Sequence, residues 1–225
     1  MIGVVTGLKT EIAALEAAWK GDGFAYFAAG GSAARAAAAA ADMAAKGARL
    51  LISAGVAGAL DPTARPGDLA LAAAVIAPDG RSYAADESWR GKIAAALGPG
   101  GRWPAPLILG SDEAILSVAA KAELFRRTGA VAVDMESHGV AQAAAQAGIP
   151  FVAIRAIADP ADRAIPEAAL AGMKPDGSID PLAVMLRLMP TPWKLPGLLR
   201  LAGESRQAHE TLGRVALAAG RVLVG

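Results

Sequence analysis

The feature that most constrains this chain is the rhythm of its apolar runs. Ile2–Val5, Phe24–Ala28, Leu50–Ser53, Asp68–Ile76, Pro106–Leu109, Ala130–Val133 and Phe151–Ile157 are short and almost continuously apolar, without the polar alternation of a half-wet strand. Strands of that kind are buried on both faces. Between them lie stretches with helical spacing. Thr10–Lys20 opens on a capping-type threonine and sets Ile12, Leu15 and Trp19 on one face. Ala33–Lys46 carries six consecutive alanines, Ala36 to Ala41, which signal helix propensity rather than disorder. Further helices are expected around Glu87–Leu97 and over Ser117–Thr128 and Glu136–Ala147. The expected fold is α/β: one three-layer domain over 1–225, with a mixed, mostly parallel sheet flanked by helices. Residues 1–162 form its α/β core. From Pro160 the composition turns to Leu, Met, Trp and Pro, so 163–225 reads as an apolar helical extension, with a helix at Leu182–Leu188 and a last one ending near Leu223.

Composition removes several function classes. Hydrophobic residues make up 54% of the 225 positions and charged ones 19%, which excludes a disordered chain. Lys plus Arg number 22 and Asp plus Glu 21, so the chain lacks the electrostatic footprint of a nucleic-acid binder. With no cysteine there is no disulfide framework, thiolate metal site or cysteine nucleophile, and two histidines leave no basis for a histidine-rich metal centre. Met1–Thr6 lacks the basic flank of a signal segment, and no run reaches the ~20 apolar residues of a membrane span. A soluble protein is expected, touching a membrane at its surface if at all.

Four features fall at the carboxyl ends of expected strands, where open α/β sheets bind ligands. The first is TGLKTE, Thr6 to Glu11; by spacing alone, Glu11 reads as a complement to a helix dipole. The second is GVAGAL, Gly55 to Leu60, a small-residue turn that lets backbone approach a flat ligand but lacks the GK[ST] of a phosphate loop. The third is AVDMESH, where an acidic pair flanks Met135 at a strand-to-helix junction. One acid is expected to cap the helix and the other to project into a cleft, and His138 reads as a partly exposed helix residue. The fourth is FVAIRAIAD, whose Arg155 inside an apolar strand demands a partner, with Glu11 and Glu136 as the candidates.

In this order and spacing, IGVVTGLKTEI, SAGVAGALDPTARPGDL, AVDMES and AIRAIAD resemble the purine nucleoside phosphorylase/methylthioadenosine nucleosidase superfamily, from Met1 to about Asp162. The block from AVDMES to DRAIP and the PDG…LPGLLRLA tail are similar to its hopanoid-associated branch, which removes adenine from adenosylhopane. The resemblance implies Asp159 as the general acid on the purine, Glu136 and Met135 as the grip on the ribose, and Glu11 as the group that activates water, with Arg155 close by. It implies that Gly55, Ala57 and Gly58 lie against base or ribose, and that Ile115 contacts the base. It implies no cofactor and no metal, a homodimer or higher homo-oligomer, and a cytoplasmic protein in peripheral contact with the inner face of the membrane.

The departures matter. Ala158 stands where many members carry a serine or threonine beside the acid. Glu11, Ser53 and Val56 stand where the phosphorylase branch has two arginines and a serine for phosphate. Hydrolysis is therefore expected over phosphorolysis, in which phosphate is co-substrate. Methylthioadenosine or S-adenosylhomocysteine as substrate, and a catalytically silent nucleoside- or lipid-binding protein, are the other readings. The tail offers Met185, Leu188, Met189, Trp193, Leu195, Leu198 and Leu199 among Arg187, Lys194 and Arg200, and Met189, Trp193, Leu195 and Leu198 are the lipid-facing candidates. Ordinary packing or a subunit interface is the alternative for that segment.

Overall fold

The computed structural model describes residues 1–99, 102–191, 193 and 195–223. The chain runs β1 (Ile2–Thr6), α1 (Lys9–Glu16), β2 (Phe24–Ala28), α2 (Ala33–Ala45) and β3 (Leu50–Ala59). Then follow β4 (Leu69–Leu71), β5 (Ala74–Ile76), β6 (Ser82–Ala84), α3 (Glu87–Leu97) and β7 (Leu107–Gly110). The remainder is α4 (Val118–Thr128), β8 (Ala132–Asp134), α5 (Ser137–Ala147), β9 (Phe151–Asp159), α6 (Glu167–Leu170), α7 (Pro181–Leu188) and α8 (Leu195–Leu223).

All nine strands join one sheet in the order β2-β1-β3-β8-β7-β5-β6, with β9 pairing both β3 and β4. The pairs β1–β2, β1–β3, β3–β9, β5–β7 and β7–β8 are parallel; β3–β8, β4–β9 and β5–β6 are antiparallel. The mixed, mostly parallel sheet expected from the apolar runs is the one observed. Alternation along β1 and β3 assigns the two layers. Ile2, Val4, Leu50 and Ile52 pack on one face with Leu15 of α1, Ile93 of α3 and Val215 and Ala219 of α8. Val5 and Leu51 face the other way, against Ala36, Ala40 and Met43 of α2 and Val140 and Ala144 of α5. The alanines let α2 and α5 lie close to the strands, so the low-complexity run is a packing surface.

Four expectations are corrected. The GVAGAL segment is not a turn: β3 continues through it to Ala59, because Ala54 to Gly58 keep pairing with β9. Asp68–Ile76 is two strands, since the N–H of Ala72 donates to Ala153 O at 3.0 Å while that of Ala73 donates to Pro106 O at 2.8 Å, sending the chain from one neighbour to another. Thr10 does not cap α1, which begins at Lys9 and ends at Glu16. Finally, α8 is not wholly an appendage. Its later turns bury Leu212, Val215, Ala216, Ala219 and Leu223, and the indole N–H of Trp19 donates to Ala216 O at 2.8 Å.

Candidate active site

Three carboxyl groups converge where β1, β3, β8 and β9 end. Glu11 lies in the first turn of α1 and is buried. Its Oε2 accepts the backbone N–H groups of Gly7 (2.9 Å) and Leu8 (2.8 Å), and Oε1 accepts that of Val56 (2.7 Å). The side chain therefore does more than complement a dipole: it ties the first turn of α1 to β3. Burial pushes its carboxyl above the ordinary value, opposed by those N–H groups and by the charges of Arg155 and His209. Gly55 makes the arrangement sterically feasible, because a Cβ there would stand 2.8 Å from Glu11 Oε1. Gly55→Ala is thus expected to displace a carboxylate that three N–H groups hold in place. Turnover should fall by ~10- to 100-fold while circular dichroism stays unchanged, which steady-state assays on the purified variant will check.

The acidic pair of AVDMESH divides its labour as expected. Asp134 Oδ2 accepts the Ser137 N–H at 3.1 Å and its hydroxyl at 2.6 Å, capping α5. Arg155, 1% exposed, forms its ion pair with Asp134 and also donates to Ser53 Oγ at 2.7 Å. The expected partners, Glu11 and Glu136, are corrected to Asp134: parallel strand β9 carries Arg155 beneath the cavity rather than into it. Arg155 and Gly55 therefore do not line the cavity, and Ser53 is already engaged by Arg155.

Glu136, freed from capping, does line it. Burial pushes its carboxyl up to about 8, with the charges of Asp134 and Glu11 adding and that of Arg155 opposing. Such a group binds its proton more tightly in the folded chain than in the unfolded one. The stability this gives is present in full below the unfolded value near 4.5 and is lost as pH climbs to about 8. Thermal melts of the ligand-free protein should therefore show stability declining from pH ~5 to pH ~8, with a shallower decline in Glu136→Gln.

Asp159 owes its position to a bulge. Ala57 pairs with Ile157, but Gly58 pairs with Asp159, so Ala158 is the extra residue on β9. The break in register turns Asp159 toward the cavity, as bulges beside functional sites do. Burial raises its carboxyl above the ordinary value, while Lys121 and Arg163 pull the other way.

The cavity holds about 200 Å³. Ile115, Met135, Ala57 and Gly58 line it as expected. Five of its described wall residues are acidic (Glu11, Glu113, Asp134, Glu136 and Asp159) and none is lysine or arginine. Lys9 is turned outward to Asp176 at 2.6 Å. Among the described residues, no cluster of three or more His, Asp or Glu side chains is arranged to hold a metal ion. His138 is buried, not partly exposed, with Nε2 3.2 Å from Asp112 Oδ1, and it stays out of the cavity. The sequence reading missed Ile165, Leu170 and Met173, apolar wall residues from the segment after β9, and it missed Lys121. The signal for Lys121 was present, since it shares a helical stripe with Leu124 and Phe125.

Of the tail candidates, Met189 and Trp193 are each 72% exposed and Leu195 44%. Leu188 is buried and Leu198 half-buried, whereas Lys194 lies outside the described residues.

The sequence profile of the phosphorylase superfamily matches residues 18–175. The chain belongs to the phosphorylase superfamily. Among curated proteins, futalosine hydrolase of Streptomyces coelicolor is 36% identical over 129 residues, covering 49% of this chain and 54% of that protein. The chain thus spans about half the length of the curated relative it matches. Solved structures share the fold at lower identity. The 5′-methylthioadenosine/S-adenosylhomocysteine nucleosidase of Streptococcus pneumoniae, bound to a transition-state inhibitor, superposes with a TM-score of 0.70 at 17% identity, covering 96% of this chain and 98% of that one. The adenine complex of the Colwellia psychrerythraea enzyme reaches 0.72 at 16% identity, covering 99% and 95%. A futalosine hydrolase mutant of Helicobacter pylori reaches 0.62 at 20% identity, covering 70% and 87%. The solved structures similar in fold to this chain thus include nucleosidases in complex with a transition-state inhibitor and with adenine.

Proposed function

We propose that this chain hydrolyses the N-glycosidic bond of a purine nucleoside bearing a bulky apolar 5′ substituent. The substrate we infer is adenosylhopane, giving adenine and ribosylhopane in the synthesis of bacteriohopanepolyols. The observation that carries hydrolysis is that no lysine or arginine stands among the described residues of the cavity wall. A phosphate dianion needs cations together with free N–H donors, yet none of the described wall residues is lysine or arginine, and the N–H groups of Gly7, Leu8 and Val56 are already taken by Glu11. Water needs only a base.

Asp159 passes its proton to N7 of the purine, the C1′–N9 bond breaks with its electron pair leaving on the base, and a ribosyl cation develops. Glu136 meets the ribose hydroxyls. The growing positive charge favours its ionised form. Water adds to C1′ and gives its proton to Glu11, which completes the balance.

The apolar 5′ group is supported by the exposed apolar side chains of the tail. Eight of the ten large hydrophobic side chains exposed among the described residues fall between Ile179 and Leu199. The same stretch of sequence to Arg200 holds three basic residues and one acid, Asp180. Apolar side chains interleaved with basic ones suit the interface of an anionic membrane, and no described helix is long and apolar enough to cross one. We therefore place the protein peripherally at the inner face of the membrane. Combined Met189→Ser, Trp193→Ser and Leu195→Ser substitutions should abolish flotation with phosphatidylglycerol vesicles. They should also cut turnover of adenosylhopane at least ~10-fold more than that of adenosine. Equal losses on both would assign the segment to folding or to subunit contact.

A second reading, hydrolysis of futalosine, is favoured by the Streptomyces coelicolor relative. The test is a panel of adenosylhopane, futalosine, methylthioadenosine, S-adenosylhomocysteine and adenosine, with products identified by mass. Preference for adenosylhopane supports the proposal; preference for a soluble nucleoside overturns its lipid part.

A further inference from the structure

Lys121 is an unusual residue to find without solvent contact. It sits one turn into α4, behind Ser117, whose Oγ accepts the Ala120 N–H, and it is 0% exposed. An ammonium has three N–H donors, and here each has an acceptor: Asp159 Oδ2, the carbonyl of Pro160 at 3.0 Å and that of Arg163 at 2.9 Å. Two of these acceptors are carbonyls of the loop leaving β9, and a neutral donor would satisfy them. The third acceptor is the carboxyl of the acid itself. No hydroxyl is available from the preceding residue, Ala158, and among the described residues no hydrogen bond reaches Asp159 Oδ1.

We infer that Lys121 is a positioning residue for Asp159: by holding Oδ2 it fixes the carboxyl plane and assigns the transferable proton to Oδ1, the oxygen left for the substrate. The inference rests on the reading of Asp159 as general acid. When Oδ1–H gives its proton to N7 of the leaving purine, the O–H electron pair stays on the carboxyl. The resulting carboxylate is paired at once with an ammonium already in contact, so the proton remains on the base. A buried charge in this place serves a carboxyl that alternates between neutral and charged forms, whereas loop closure alone needs none. Arg163 also faces Asp159 but is engaged by Glu204 of α8, and across the cavity lie Glu113 and Glu136. Lys121 is thus the cation in direct contact with the acid.

The experiment uses Lys121→Gln, which keeps N–H donors for the two carbonyls and removes the charge, beside Lys121→Met, each made in the wild-type and in the Asp159→Asn chain. The substrate is the best-cleaved nucleoside of the panel above. In the wild-type background both should lower kcat ~10-fold or more with KM within ~3-fold. The alkaline limb of kcat should move up by about one pH unit, because loss of the ammonium lets Asp159 keep its proton longer. In the Asp159→Asn background the same substitutions should cost less than ~2-fold further. Equal losses in both backgrounds with an unmoved alkaline limb would overturn the inference and leave Lys121 a loop anchor. If Lys121→Met does not fold, Lys121→Gln alone decides between these outcomes. Should Asp159→Asn by itself keep wild-type turnover, it is the general-acid reading that fails.

Discussion

Asp159→Asn is expected to lower turnover by ~10²-fold or more while leaving the fold and adenine binding in place. Asparagine has nearly the same shape and still accepts a hydrogen bond from Lys121, but it cannot deliver a proton to the departing purine. A purine anion is a poor leaving group, so the whole cost falls on bond cleavage. The free-enzyme profile supplies a second signature. Burial raises the Asp159 carboxyl, so wild-type kcat/KM should fall on the alkaline side as that proton is lost, and the fall should vanish in whatever residual activity Asp159→Asn retains. Steady-state kinetics across pH, with adenine binding measured by calorimetry, will check both. Near-wild-type turnover in Asp159→Asn would remove this residue from the chemistry.

Glu11→Ala should be as damaging, for a different reason. On the proposed mechanism it removes the base for water, and it also frees the three N–H groups that Oε1 and Oε2 now occupy. Hydrolysis should fall by ~10²-fold or more. Phosphorolysis should not appear in its place, since the variant still lacks a cation among the described cavity walls and keeps Glu136 nearby. Mass analysis of the sugar product, with and without phosphate, distinguishes a lost base from a changed nucleophile. A rise in sugar 1-phosphate on removing Glu11 would show that this carboxylate had merely been blocking an anion site.

Much of this architecture is legible in the sequence, and the illegible parts share a cause. Apolar strands and alanine helices announce themselves because burial acts on every residue in the run. The division of Asp134 and Glu136 was readable because a strand-to-helix junction needs one cap and leaves the other acid free. The length of β3 was not. Ala54 to Gly58 have turn composition, and the smallness of Gly55 answers to Glu11 and that of Gly58 to Asp159, carboxylates distant in sequence. The partner of Arg155 was misassigned because register, rather than charge, decides which acid a buried cation meets: strand β9 runs beside β3, and Asp134 closes the gap. The bulge at Ala158 leaves no mark in composition, yet it turns Asp159 toward the cavity. Lys121 shares its helical stripe with Leu124 and Phe125, a sign of burial, but its acceptor Asp159 is distant in sequence.

The central claim is that water, not phosphate, attacks C1′. It is tested most directly by running the reaction in ¹⁸O-labelled water with phosphate present in excess, and weighing the released sugar. The account predicts one ¹⁸O atom in a free sugar, no sugar phosphate, and a rate indifferent to phosphate. A sugar 1-phosphate formed only when phosphate is supplied would contradict it.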